Sequence, residues 1–583
     1  MFLASHCRLA SRLYWLFFVV ILVLIDMYVA FICVPHLTYS PCLAHFPRPK
    51  QNSTRTARPP PRRLLDDTDL SQLSASARIL QPWKMQDWSF AGYKAGSNPV
   101  LPPRRFDVVA NYCQGCNDGN SDASLAIQAA IDDADTFGGG TVYLMPGRYR
   151  IDRPINITGN NIVLKGSGPT QTTLYMPCPL CQCMEGKYLE DPNMSKYCWK
   201  DGFLRIWGKS RDSPPSSASH LASVTAPADL GSTSLTVDSV KNLQAGQWVR
   251  IYQSDPDVNA TGTGSLAKEM YGGVVMAPNC HGACFHGLNG HPNLFHWASE
   301  ISSIDATNNK VGLRRHLPIR FLPAWRPQLH SLSTTEAFVT ESGIQDLKVE
   351  FQFDYVQKHH LDKGYNAIEL KTTFNSWVSN VEIINADHGI LVQDSFSVTL
   401  HGIKISSTAP RCRGCSTNGH IGIGLVDSTD VLVDKFAITS PMVHDTTVVR
   451  TMMAVWRAGK GTNLNLDAHR HAPYATLYSD IQVGAGSRPF ATGGVGEQGF
   501  PIAAYTTYYN IRNAKYSPIL IRNDTAPWGR CAFGGGLLSY IGRFSASWKD
   551  CPSMHVVRVK GSFPEPVDWY LNQLHQRRIG RSV

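Results

Sequence analysis

The stretch GIQDLKVEF at residues 343–351 sets a pattern that decides the fold, because it returns as far as Asn513. Its apolar residues are Ile344, Leu347 and Val349. The last two alternate with a polar residue, so they lie on the same face of a strand. Further copies begin at Val378, Leu400, Val433 and Tyr478, with a weaker copy at Tyr508.

The copies begin 22 to 45 residues apart, which is typical of coils that share a core and differ in their loops. One short strand cannot bury its apolar face alone, whereas stacked copies can. Asp346, Asn380, Asp480 and Asn510 stand just before the second apolar residue of a copy and predict a bend there. The pattern predicts an all-β chain folded as a parallel β-solenoid. The alternative is a β-sandwich whose strands are similar by chance.

The positive charge of the chain is concentrated at its N-terminus. The 583 residues carry a formal net charge of +10, but residues 1–63 contain eight Arg or Lys against the single acid Asp26. That segment contributes +7 and leaves +3 for the other 520 residues. The remainder has no basic excess, so we expect no nucleic-acid partner.

An apolar run at residues 13–34 follows Arg8 and Arg12 and is interrupted only by Asp26. Its length suits a bilayer span, and its basic flank favours a cytoplasmic N-terminus at residues 1–12. We predict a signal-anchor, hence a single-pass type II membrane protein that contacts the membrane through this helix. A cleaved signal peptide and secretion are the alternative. Residues 35–85, rich in Pro and Arg, are predicted to be an extended tether.

A helix is predicted near residue 122, where Ser121 or Asp122 is a suitable cap. The glycines at 138–140 end this helix, and short strands at 141–144, 149–151 and 162–164 follow it. A helix at this place would cover the open end of the first coil, where core and strand edges are otherwise exposed.

The segment FDVVANYCQGCNDGNSDASLAIQAAIDDADTFGGGTVYLMPGRYRI, residues 106–151, resembles the N-terminal signature of the pectate-lyase superfamily. WSFAGYKAG at 88–96, YNAIEL at 365–370 and DAHRHAPYATLYSDI at 467–481 also resemble secreted members. The resemblance implies a right-handed single-stranded parallel β-helix over residues 86–575, followed by a tail at 576–583. It further implies a polysaccharide substrate, in most members an acidic one. Cys113 and Cys116 depart from the usual Gly-Asp-Gly approach to the helix.

Residues 222–318 interrupt the coil pattern. Segments in which apolar and polar residues alternate predict a small antiparallel β insertion there.

Twelve cysteines downstream of the tether predict disulfides in an oxidising compartment. Cys280, Cys284 and nearby histidines could supply four zinc ligands, but the Gly-rich surroundings and the oxidising compartment favour a loop disulfide.

Ionisable residues of successive coils can meet in a row on one outer sheet, so the candidate catalytic residues are taken from the later coils. The densest run precedes the fifth copy of the pattern. The candidates are Asp387, His388, His420, His444, Asp445, Arg457, Asp467, His469, Arg470 and His471.

Two chemistries suit such a groove. In β-elimination a base such as His469, His471 or His444 removes the proton α to a uronate carboxylate, while Arg470, Arg457 or a bound Ca²⁺ neutralises charge. In hydrolysis, two of the carboxylates at 387, 445 and 467 flank the bond. We predict an enzyme that cleaves an acidic polysaccharide, with elimination ahead of hydrolysis and epimerisation. No cofactor is specified by the sequence, and Ca²⁺ is the candidate metal.

Neither familiar set of catalytic motifs is complete. Asn385-Ala-Asp387 and Gly419-His-Ile-Gly422 are imperfect copies of polygalacturonase-like motifs, and the pectate-lyase Trp-x-Asp-His motif is absent. A non-catalytic glycan-binding protein is therefore the alternative, with Trp325, Trp377 and Trp456 as candidate sugar-stacking residues. Convergence of the Asp, His and Arg side chains in one groove would favour the enzyme.

Overall fold

The computed structural model describes residues 85–183, 198, 201–209, 219–255, 264–273, 294–332, 338–356, 362–469, 471–494, 501–521, 537–546, 554–558, 564 and 566–580. The chain divides into two compact units, 1–66 and 67–583, and all described residues lie in the second. The predicted signal-anchor at 13–34 and nearly all of the tether fall outside this part of the chain, as do Cys280 and Cys284. None of the helices described is long and apolar enough to cross a bilayer.

The repeated pattern forms a parallel ladder, which confirms the predicted β-helix. Ile344 pairs with Val378, which pairs in turn with Leu400, and the same register continues through the later copies. Upstream, Ile344 pairs with Leu164 of the coil before the insertion. These side chains are fully buried and form one continuous core. We call this sheet the motif sheet. Its described strands are Arg105–Asp107, Asp118–Asp122, Gly140–Tyr143, Gly147–Arg150, Ile162–Lys165, Thr172–Met176, Gly343–Phe351, Trp377–Ile384, Thr399–Ser406, Leu432–Asp434, Ala437–Ile438, Val455–Arg457, Lys460–Gly461, Leu477–Gln482, Thr507–Arg512, Leu538–Gly542 and Met554–Arg558.

The predicted bends are present as left-handed backbone. Asp346, Asn380, Asp480 and Asn510 have φ values of 59°, 53°, 55° and 55°. Asn and Asp tolerate this region better than other side chains because they are short and polar. The Asn380 amide also donates to Asp346 Oδ1 at 2.7 Å, so the bends of successive coils are tied together.

One coil was not predicted, and it explains the 45-residue gap in the pattern. Trp456 pairs with Val433 on one side and with Tyr478 on the other. In this coil Gly459 stands where the pattern has its second apolar residue. A Cβ at Gly459 would lie 2.1 Å from the ring of Phe436. The Phe436 ring of the preceding coil therefore fills the space that an aliphatic side chain fills elsewhere.

A second parallel sheet runs beside the motif sheet, and we call it the groove sheet. Each strand pairs with the equivalent strand of the next coil, as in Asn366 with His388 and His388 with Ile421. Its described strands are Ile155–Ile157, Leu204–Trp207, Asn366–Lys371, His388–Gln393, Ile421–Val426, His444–Val449 and Leu466–Ala468. Two short parallel pairs complete the coils, Val339–Thr340 with Thr373–Phe374 and Ile519–Ile521 with Phe544–Ala546.

The predicted N-terminal helix spans Ser124–Thr136. It begins after Asp122, whose carboxylate accepts the N–H of Ser124 at 2.9 Å, and its buried side includes Ile127, Ala130 and Ile131. These residues join the core of the first coils. Shorter helices lie at Val108–Asn111, Leu180–Cys183 and Ser265–Met270, with a 3₁₀ turn at Pro323–Trp325.

The insertion predicted at 222–318 forms an antiparallel sheet that extends further, from residue 220 to residue 331. It packs on a second core to which the outer side of the motif sheet also contributes. Its strands are His220–Ser223, Ser234–Thr236, Trp248–Ser254, Leu294–Asp305, Lys310–Leu313 and Gln328–Ser331. A final helix, Trp569–Arg578, packs against the same core and extends three residues into the predicted tail. Asp568 caps this helix by accepting the N–H of Leu571.

Candidate active site

A row of imidazoles crosses the groove sheet. His388 and His444 begin two of its strands, and His420 directly precedes the strand between them. Ring centroids are 5.4 Å apart from His388 to His420, 5.5 Å from His420 to His444 and 4.9 Å from His444 to His469. These four predicted site residues are 32, 24 and 25 residues apart along the chain. They meet in one row because equivalent positions of successive coils are stacked.

Asp467 lies buried beneath one end of this row. Its Oδ2 lies 3.1 Å from His444 Nδ1 and 3.2 Å from His469 Nδ1, and Oδ2 also accepts the Thr447 hydroxyl at 2.7 Å. Oδ1 accepts the N–H of Gly493 at 2.6 Å. Oδ2 thus receives three donors and Oδ1 receives one. The carboxylate therefore fixes the orientation of both rings.

The environment keeps Asp467 ionised. Burial by itself would raise its pKa, but the hydrogen bonds and positive charge supplied by His444 and His469 lower the pKa well below its usual value. An ionised carboxylate at Nδ1 stabilises the protonated imidazole and leaves Nε2 to exchange protons with a substrate. His469 is the more accessible of the two rings, with 33% of its side chain exposed.

The loop at 491–494 closes over these two rings. A Cβ on Gly493 would lie 2.2 Å from His469 Nδ1 and 2.9 Å from His444 Cε1. Glycine is required here by the close approach of the backbone to the imidazoles. The loop thus limits access to the row and supplies the fourth donor to Asp467.

Asp387 and Asp445 lie beside the row but are held inside the protein. Asp387 accepts from Arg411 at 2.8 Å and from the backbone N–H of residues 363–365. Asp445 accepts from Arg488 at 2.7 Å and from two backbone N–H groups. Burial raises the pKa of Asp445 although Arg488 opposes the shift. Both carboxylates anchor the loops that carry the histidines.

The remaining predicted residues lie elsewhere. Arg457 is on the motif sheet, where it forms buried ion pairs with Asp434 and, at 2.7 Å, with Asp568. His471 is buried and has a φ of 57°. Arg470 lies outside the described residues, so its role stays a prediction. Trp325, Trp377 and Trp456 are buried in the cores, which is contrary to a sugar-stacking role for them.

Sequence reasoning missed Asp362, which faces the other end of the row. Its Oδ2 lies 2.8 Å from His420 Nδ1. No motif marks it, because it precedes the strand Asn366–Lys371 in a loop.

Two groups of side chains could hold a metal ion, and in each the ligand atoms lie within 4.8 Å of one another. The groups are Asp362 with His388 and His420, and Asp467 with His444 and His469.

Glu369 is a second residue that the sequence did not reveal. It lies on the groove sheet, is 2% exposed and carries a pKa raised by burial, and further by Asp201, to about 7. Because the folded state binds this proton more tightly than the unfolded chain, the stability of the fold decreases as pH rises from about 4.5 to about 7.

We therefore expect Glu369→Gln to stabilise the fold at pH 8, by up to about 3 kcal/mol, and to have little effect near pH 4. Urea unfolding at the two pH values measures the difference. Glu382→Gln, on the motif sheet with 26% of its side chain exposed, is the matched control and should change neither value. Equal effects of Glu369→Gln at both pH values would show that Glu369 is not a buried acid with a raised pKa.

Comparison with known proteins supports the superfamily. A family model described as rhamnogalacturonase A/epimerase, pectate lyase-like, matches residues 114–180. This match confirms the resemblance to the pectate-lyase superfamily that the segment at 106–151 indicates.

This chain is also similar to curated relatives and to solved structures. A mannuronan C5-epimerase, AlgE6 of Azotobacter vinelandii, is 47% identical over 64 residues, which is 10% of this chain and 7% of that protein. The tailspike gp49 of Pseudomonas phage LKA1 covers 75% of this chain and 61% of its own, with a TM-score of 0.43 and 15% identity. A polygalacturonase of Erwinia carotovora covers 80% of this chain and 96% of its own, with a TM-score of 0.40 and 10% identity. The match to AlgE6 thus spans only a small part of the curated relative.

Proposed function

We propose that this protein is a carbohydrate-active enzyme that cleaves an acidic polysaccharide by β-elimination at a uronic acid residue. The observation that carries the proposal is the buried carboxylate of Asp467 between the Nδ1 atoms of His444 and His469. A buried ionised carboxylate costs free energy unless it is paired, and here it is paired with two imidazoles, the side chains most often used as general acids and bases. The convergence of these side chains in one row favours an enzyme over a glycan-binding protein.

In the proposed reaction, Nε2 of His469 takes the proton from C5, which is α to the uronate carboxylate. The electron pair of the C5–H bond forms the C4–C5 double bond, and the C4–O bond breaks. The departing oxygen receives a proton from water or from a neighbouring imidazole. Asp467 holds the ring and stabilises the imidazolium, an arrangement that typically contributes about 10²–10⁴-fold to a proton transfer.

Hydrolysis is less well supported by the carboxylates of the groove sheet. Inverting and retaining glycosidases place two carboxyl groups about 5 to 9.5 Å apart. Glu369 and Asp467 occupy the same register but are four strands apart, which is about 19 Å at the usual strand spacing. Asp387 and Asp445 are engaged by Arg411 and Arg488.

Epimerisation at C5 is the second candidate, and the match to a mannuronan C5-epimerase favours it. Both reactions begin with removal of the C5 proton. In epimerisation a proton returns to the opposite face of C5, whereas in elimination the C4–O bond breaks. The first step therefore assigns the same role to His469 in both reactions.

The test is incubation of the purified protein with a panel of uronate-containing glycans. We expect ultraviolet absorbance from unsaturated chain ends on at least one of them. New reducing ends without that absorbance would instead indicate hydrolysis, and a changed C5 configuration in intact chains would indicate epimerisation. Binding without any product would remove the enzymatic proposal in favour of a glycan-binding protein.

We also propose that the protein acts in the secretory pathway or outside the cell, either anchored by residues 13–34 or secreted. The sulfur atoms of Cys113 and Cys116, of Cys181 and Cys198, and of Cys412 and Cys415 lie within disulfide-bonding distance, which supports an oxidising compartment. In sealed microsomes, we expect the β-helix to be fully protected from protease added outside. Digestion of the β-helix under these conditions would contradict the proposal.

A further inference from the structure

The proposed elimination needs positive charge at the substrate carboxylate, because the intermediate formed at C5 delocalises its charge onto that group. Among the described residues, the arginines nearest the row are already engaged. Arg411 binds Asp387 and three carbonyl oxygens, and Arg488 binds Asp445 and two carbonyl oxygens. A different source of charge is therefore required within this part of the site.

We propose that Asp362, His388 and His420 bind a transition-metal dication of the Zn²⁺ class. Their ligand atoms lie within 4.8 Å of one another, and the closest pair is already at 2.8 Å. Two imidazoles and one carboxylate are the ligand set of many catalytic zinc sites, which keep one position open for water or substrate. Ca²⁺ prefers oxygen ligands only, so this group does not suit it.

The backbone holds the two imidazoles in place. The N–H of His388 donates to the carbonyl of Tyr365, and the N–H of His420 donates to the carbonyl of Asp387. His388 therefore begins a strand, and His420 directly precedes one, at positions that the neighbouring coil sets. A metal site gains affinity when its ligands need little rearrangement on binding.

The two possible metal groups differ in the state of their carboxylates. Asp467 already accepts four protein donors, three of them at Oδ2, the oxygen that faces His444 and His469. In the described hydrogen bonds, Asp362 accepts from His420, and the neighbouring Lys363 is paired with Asp354 instead. Asp362 thus retains lone pairs for a metal, whereas Asp467 is committed to orienting His444 and His469.

The position of this metal site suits the proposed function. The catalytic role of the metal rests on that proposed function. The ring of His420 lies 5.5 Å from that of His444, and His444 lies beside His469. A metal at one end of the row could bind a uronate carboxylate of the glycan and hold the chain across the row toward His469 at the other end. The metal site itself can be tested without any assumption about activity.

The test measures zinc bound to the full chain by elemental analysis after equilibration with Zn²⁺ and removal of the excess. Asp362→Asn and His388→Gln should each lose one equivalent relative to the unsubstituted protein, and zinc affinity in a chelator competition should fall at least tenfold. His401→Ala is the matched control. His401 also hydrogen bonds to an aspartate, Asp434, at 2.8 Å, but on the motif sheet.

Circular dichroism establishes that the variants are folded. If a variant does not fold, the Co²⁺-substituted unaltered chain should show the absorption bands of cobalt bound to nitrogen ligands. Zinc content near zero in the unaltered chain, or unchanged content in both folded variants, would overturn the inference. Loss of that equivalent in Asp467→Asn alone would also overturn it, because it would place the metal at the other group.

The two proposals fail separately. Zinc bound at this site without product from any glycan would leave the metal site in place and remove the proposed function. Elimination at full rate by metal-free protein would remove the catalytic role of the metal and leave the proposed function in place.

Discussion

Replacing His469 with alanine is expected to lower kcat/KM on the uronan substrate about 10²–10⁴-fold, the usual contribution of a positioned proton-transfer group. The reason is that His469 is the exposed imidazole of the pair that Asp467 orients. Asp467 keeps its contacts with His444, Thr447 and Gly493 after the substitution, and the His469 side chain is partly exposed, so the thermal unfolding midpoint should change little. Steady-state rates and a thermal melt on the same sample measure both effects.

His401→Ala is the control for this substitution, because it removes a comparably exposed histidine that hydrogen bonds to an aspartate far from the row. It should retain full activity. Asp467→Asn should lower kcat more than it raises KM, since it acts through the orientation of the rings. Near-native turnover of His469→Ala would remove His469 from the site.

The largest effect on stability is expected from Arg411→Ala, which should destabilise the fold by about 3–5 kcal/mol. The Arg411 side chain is fully buried and donates to Asp387 and to the carbonyls of Asp354, Ala386 and Asn418. Its removal leaves a buried carboxylate and three carbonyl oxygens without their donor, and a buried unpaired charge is costly.

Urea unfolding measures this loss. Arg413→Ala, two residues along the same loop and exposed, is the matched control and should change the unfolding free energy by less than about 0.5 kcal/mol. If Arg411→Ala cost no more than this control, the ion pair with Asp387 would not hold the loop beside His388 as the structure indicates.

The fold was predictable because its core repeats locally. Ile344, Val378 and Leu400 read the same way in sequence and pair in one register, and the Asp and Asn before the second apolar position adopt the expected left-handed backbone. The coil at Trp456 was missed because Gly459 replaces the aliphatic residue and Phe436 of the previous coil fills its space. A pattern search within one strand cannot detect such compensation between coils.

The site was predictable only in part, for a related reason. His388, His420, His444, Asp467 and His469 stand next to strands, so stacking of the coils brings them together. Asp362 lies in a loop, where no periodicity gives its position, and Glu369 differs from other strand residues only through its burial. The roles of Asp387, Asp445 and Arg457 as buried ion-pair partners depend on Arg411, Arg488 and Asp568, which are 24, 43 and 111 residues away.

The central claim is that the imidazole row removes the C5 proton of a uronic acid residue, and hydrogen exchange tests it most directly. The glycan that gives product in the panel is prepared with deuterium at C5 and incubated with the protein, and deuterium at C5 is followed by nuclear magnetic resonance. We predict loss of deuterium from C5 at the rate of product formation, a slower reaction than with the unlabelled glycan, and neither effect with His469→Ala. Product formation with deuterium retained at C5 would contradict the account.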